Sequence, residues 1–212
     1  MQRIETERRS PSNFLNLWQL KGPQVARLTR EVSRTSGNVR VFIHPFYIAE
    51  SSGFDEEPAA HRVYAKPRQE EFFLKTVKEA AEPIIVFEQG GGSIDYTKKR
   101  FLSTGILKPI YYIPTVPHNP QPALIVDNLR KLIQLSPQNQ RQWNILEDKR
   151  LENLSWELAL EKFASFGIKH INLTGRSYPG GCVGDAEEQF KKKFAVNVLP
   201  ESYLENFLFS TD

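Results

Sequence analysis

Five short apolar runs, Val39–Ile43, Ile84–Phe87, Lys108–Ile113, Ile168–Leu173 and Ala195–Leu199, constrain this chain most, because patterns with helical spacing separate them. Strand, loop and helix in repeated alternation imply parallel strands joined by right-handed crossovers. The expected fold is therefore α/β, a three-layer doubly wound, mostly parallel sheet with helices on both faces. Gly37 and Asn38 punctuate the chain before the first run, and Pro45 follows it.

The helical patterns fill the gaps. Glu70 to Ala81 carries Phe72, Phe73, Val77 and Ala80 at helical spacing; Tyr96 to Leu102, Leu124 to Leu135 and Asp185 to Phe194 read similarly. Ser155 to Phe166 has Trp156, Ala159, Leu160 and Phe163 on one face, with Ser155 as a plausible N-cap and Gly167 as the stop. Asn144 to Leu146 reads as a brief edge strand, Ser202 to Phe209 as a closing helix, and residues 49–69 as a long surface loop that could act as a lid. Residues 1–36 form a helical leader, from Ser12 to Leu20 and Pro23 to Val32, packed on a single α/β domain over 37–212.

A chain of 212 residues, 40% hydrophobic and 25% charged, can bury a core without a disulfide or metal. One Cys excludes an internal disulfide, and with four scattered His it leaves no zinc-finger spacing. The charged N-terminus lacks the apolar stretch of a signal peptide, and no apolar run approaches the roughly 20 residues of a membrane span. The expectation is a cytoplasmic protein without membrane partners. The net charge is +3; residues 1–36 hold seven Lys/Arg against three Glu, leaving 21 basic and 22 acidic residues beyond. Glu5, Glu7 and Glu31 interrupt that basic leader and no aromatic platform accompanies it, so nucleic-acid binding has weak support.

Ligands of open parallel sheets bind beyond the carboxyl ends of the strands. The candidates there are His44, Glu88 to Gly92, Thr115 and His118, Thr174 to Cys182, and Glu201. The most informative stretch runs from Thr174 through Gly175-Arg176-Ser177-Tyr178-Pro179-Gly180-Gly181-Cys182-Val183-Gly184 into a helix. A thiol at that helix N-terminus faces unpaired amides and the positive end of the dipole, which favours thiolate. The same amides would make an oxyanion hole. The plainer reading makes Cys182 a small packing residue, and a third keeps the turn as an anion site, with Arg176 and the amides of Gly180, Gly181 and Val183 holding a phosphate or carboxylate. Glu88 beside three glycines could act as a base or sit in a flexible turn. Three glycines without a following Lys-Ser or Lys-Thr are not a P-loop, and no cofactor is expected.

Leu160-Glu161-Lys162-Phe163-Ala164-Ser165-Phe166-Gly167-Ile168-Lys169-His170-Ile171-Asn172-Leu173-Thr174-Gly175, then Gly181-Cys182-Val183 and Val196-Asn197-Val198-Leu199-Pro200-Glu201, resemble the C-terminal half of the isochorismatase-like cysteine hydrolases. The resemblance implies a Rossmann-like hydrolase acting on an amide or related C–N bond, with Cys182 as nucleophile and Lys149 matching the lysine that stabilises charge beside the thiol. It also implies an oligomer. Where that family has an aspartate general base at the end of strand one, this chain reads Ile43-His44-Pro45-Phe46. His44 or Glu88 would then take the proton. The alternative is a relative without catalysis, serving as a small-ligand or anion-binding module or in assembly; on it, His44 is a core-edge residue and Lys149 a solvated surface lysine.

Overall fold

A computed structural model of the chain describes residues 13–46, 59–89, 92–115, 119–123, 140–175 and 181–203, with side chains at 59–67, 92 and 140–152 outside that description. The strands are β1 (Phe14–Asn16), β2 (Asn38–Ile43), β3 (Ile84–Gln89), β4 (Ile110–Thr115), β5 (His170–Gly175) and β6 (Ala195–Val198). The helices are α1 (Gly22–Arg34), α2 (Ala59–Glu79), α3 (Gly92–Leu102), α4 (Gln140–Ser165) and α5 (Gly181–Lys191). All six strands are parallel, in the order β1-β4-β3-β2-β5-β6. The doubly wound α/β expectation is met.

Two apolar layers cover the sheet. On one face, Leu28 and Val32 of α1, Trp156, Leu160 and Phe163 of α4, and Val183, Ala186 and Phe190 of α5 pack on Val41, Ile43, Ile85, Phe87, Tyr111 and Leu173. On the other, Phe73 and Val77 of α2 and Phe101 of α3 pack on Phe42, Ile84, Val86 and Ile110. The alternation along each strand follows from the two-residue period of a pleated strand, and the central strands are apolar throughout because both faces are covered. Phe87 is the aromatic hub, stacked on Trp156 at 5.7 Å and edge-on to Phe190 at 5.6 Å.

Several local expectations are corrected. The helix expected from Ser12 to Leu20 is not formed over its described residues, 13–20: Phe14–Asn16 pairs with Ile110–Tyr112 as an edge strand, and Leu17–Gln19 makes one 3-10 turn, with the Trp18 amide donating to Asn16 Oδ1 at 3.0 Å. Phe14 is buried there and stacks on Tyr112 at 5.0 Å, a partner that only the tertiary pairing with β4 supplies. The second half of the expected 49–69 loop is helix, since α2 begins at Ala59; residues 47–58 lie outside the described residues. Asn144 to Leu146 falls inside α4, and Ser155, expected to cap that helix, lies in its interior and is fully buried. Glu-, Lys-, Arg- and Leu-rich sequence upstream propagates the helix past the cap signal. β4 runs on through Pro114, which pairs with Glu88 beyond the end of β1, so its missing N–H falls where no second neighbour needs it. Residues 124–135, expected as a helix, are outside the described residues, as are 204–212 of the expected closing helix; Pro200–Ser202 before them is a 3-10 turn.

Candidate functional site

The strand order fixes where a ligand can sit. The chain advances from β2 to β3 to β4 in one direction, then returns to β5 and β6 on the other side of β2. The helix after β2 and the helix after β5 pack on opposite faces of the sheet, so the carboxyl ends of these two strands form the topological switch point at which ligands of such sheets bind. Ile43 and Gly175 are paired at that point. A Cβ on Gly175 would lie 2.3 Å from the Ile43 carbonyl oxygen and 2.8 Å from Val183 Cγ2. Only a residue without a side chain lets β5 and α5 approach β2 this closely.

His44 leaves β2 at this edge with a left-handed φ of 43°. Its amide donates to the Phe87 carbonyl at 3.0 Å, and its Nε2 shares a 2.9 Å hydrogen bond with Thr115 Oγ1. The ring is thus buried across the end of β3, joining β2 to β4. An imidazole fixed in this way supports the strand ends.

Glu88 occupies the end of β3 and is 1% exposed. Ile84 and Val86 point to the α2/α3 layer, and Glu88 continues that side of the strand. The Thr97 hydroxyl donates to Oε2 at 2.7 Å, and the Gln89 amide donates to Oε1 at 2.9 Å. Burial disfavours the carboxylate more than these two donors favour it, so the carboxyl is pushed up to about 7. A carboxyl poised there exchanges protons at neutral pH.

Cys182 lies in the first turn of α5, half-buried against the opposite apolar layer, after Gly181 with φ 54°. The expected preference for thiolate is corrected. Burial pushes the thiol up, the charges of Asp185 and Glu88 push it further, and a backbone hydrogen bond only partly opposes them. The amides at the helix start are outweighed by desolvation and two carboxylates. Cys182 at the start of α5 and Glu88 at the end of β3 lie at the same carboxyl-terminal edge of the sheet, on opposite faces, and the Glu88 charge is the smallest of the influences on the thiol.

The other expected site residues separate. Thr174 is buried and hydrogen-bonded to Ser202 Oγ at 3.1 Å, tying β5 to the turn after β6. Val183 is fully buried in packing, and Gly181 is exposed. Glu201 is 6% exposed and faces Thr76 at 3.5 Å and Arg40 at 3.9 Å, a structural network between α2 and the sheet. Lys149 belongs to α4, but its side chain is outside the described residues, as are Arg176, Gly180 and His118. Thr97 and Asp185 were not anticipated, because no short-range pattern connects Glu88 to a threonine on the next helix. Among the described residues no His/Cys/Asp/Glu cluster could hold a metal ion, and no helix is long and apolar enough to cross a membrane.

No family model, curated protein or solved structure matches this chain.

Proposed function

We propose that this chain is a cysteine-dependent hydrolase of an amide or related C–N bond, with Cys182 as nucleophile and Glu88 as the general base. The observation that carries this reading is the buried Glu88 carboxyl, held at about 7 at the same carboxyl-terminal sheet edge as Cys182, where its charge is one of those that push the thiol up. The resemblance to isochorismatase-like hydrolases in the C-terminal half supports it, with the carboxylate moved from the strand that ends at His44 to the neighbouring β3.

The thiol's proton affinity exceeds that of Glu88, so the proton moves as sulfur attacks rather than beforehand. Glu88 accepts the proton while Sγ bonds to the carbonyl carbon. The resulting oxyanion collapses, the C–N bond breaks, and Glu88 returns the proton to the leaving nitrogen. Water, deprotonated by Glu88, then releases the acid from the thioester and restores the thiol. On this reading His44 and Thr115 hold the strand ends in place.

The second reading, a small-ligand or anion-binding module without catalysis, is favoured by one observation: the Cys182 thiol is pushed up instead of down. Intact-mass spectrometry after incubation with a panel of p-nitroanilides separates the two. The hydrolase reading predicts an acyl adduct on Cys182 and release of nitroaniline, both lost in Cys182→Ser and strongly reduced in Glu88→Gln. Turnover unchanged in Cys182→Ser would overturn it.

A further inference from the structure

At the amino-terminal edge of the sheet, opposite the switch point, the fold gathers basic residues that are far apart in sequence. The Lys169 and His170 amides donate to the Gly37 carbonyl at 2.9 and 3.1 Å, and the Ala195 amide donates to the Lys169 carbonyl at 3.1 Å. These bonds set the α1–β2, α4–β5 and α5–β6 turns side by side. Arg34, Lys169, His170, Lys191, Lys192 and Lys193 are all exposed there. The segments 34–38, 166–170 and 191–195 contain no Asp or Glu.

Part of this charge has local partners. Lys191 pairs with Glu187 at 2.7 Å, and Lys193 pairs with Glu161. Arg34 and Lys191 also lie in the last turns of α1 and α5, where cations offset the negative end of the helix dipole. Lys169 follows α4 by several residues and sits just before β5, and among the described residues Lys192 donates to the neutral Gln189 side chain, at 2.6 Å. A surplus of positive charge remains, spread across β2, β5 and β6, about 10 Å at ordinary strand spacing.

We infer that this edge binds the phosphate backbone of duplex nucleic acid without reading its sequence. Phe166, Ile168 and Phe194, the large apolar residues of these turns, are buried. Among the described residues the patch therefore offers no wedge to insert into a lipid surface, no aromatic plate for an unpaired base and no apolar centre for a protein interface. Charge alone remains, over a span close to the roughly 12 Å width of the major groove, whose rims are phosphates. The edge lies at the end of the sheet remote from Cys182 and Glu88, so both sites can be filled together.

The test uses the full chain, wild type and Arg34→Glu/Lys169→Glu/Lys192→Glu, with a fluorescent 20-base-pair duplex read by anisotropy from 50 to 200 mM salt. Wild type is expected to bind with a dissociation constant on the order of 10⁻⁶ to 10⁻⁴ M and a log–log salt slope of about −3. The triple variant should bind at least tenfold more weakly with a shallower slope, at an unchanged melting temperature. If its melting temperature moves, Arg34→Gln/Lys169→Gln/Lys192→Gln replaces it. Absence of wild-type binding at 50 mM salt, equal binding by the variant, or tighter binding to phosphatidylserine vesicles than to the duplex overturns the inference.

Discussion

The Thr97 hydroxyl donates a 2.7 Å hydrogen bond to the Glu88 carboxyl, and this contact fastens α3 to the carboxyl end of β3. It also stabilises the ionised form of a group that burial holds at about 7.

Stability should therefore fall with rising pH in a definite window. The folded value of Glu88, about 7, exceeds the ordinary value of 4.5. Below the lower value both states carry the proton. Between the two the unfolded chain releases it first, so the native state loses up to about 3 kcal/mol of stability by pH 7 to 8 and then levels off. Urea unfolding from pH 4.5 to 8 should show this decline, and Glu88→Gln should flatten it. An identical decline in the variant would assign it to other groups.

His44 depends on Thr115. Thr115→Val removes the 2.9 Å partner of a ring that is 2% exposed, and should cost about 1–3 kcal/mol in denaturant unfolding. Thr115→Ser should recover most of that loss. Equal destabilisation by both would mean that packing of the threonine methyl, and not the hydroxyl, matters.

Two glycines near the switch point should respond oppositely. Gly175→Ala drives a methyl to 2.3 Å from the Ile43 carbonyl oxygen, and should cost about 2–4 kcal/mol because a central strand must shift. Gly184, in α5, has nothing within 4 Å of a built Cβ. Gly184→Ala should stabilise by about 0.5–1 kcal/mol. Thermal melts of both variants check the contrast.

The layered architecture was legible because buried strands such as Ile84–Phe87 carry apolar side chains on both faces, and because Trp156, Leu160 and Phe163 recur at helical spacing. What was not legible depends on tertiary context. Phe14 reads as part of a helical stripe until β4 offers it Tyr112. Ser155 reads as a cap because the signal is local, whereas the helix starts upstream at Gln140 and carries Ser155 in its interior. Of the site, the strand ends that carry His44 and Glu88 and the helix start that carries Cys182 followed from the order of elements. The sign of the Cys182 shift did not, since it depends on how deeply the thiol is buried and on carboxylates from its own helix and from β3.

The pH dependence of Cys182 alkylation by iodoacetamide, measured in wild type and in Glu88→Gln, tests the account at its centre. The account predicts a wild-type midpoint above the free-thiol value of about 8.5, and a lower midpoint once the Glu88 charge is removed. A midpoint below the free-thiol value, or one that Glu88→Gln leaves in place, would contradict the coupling between carboxyl and thiol on which the proposed chemistry depends.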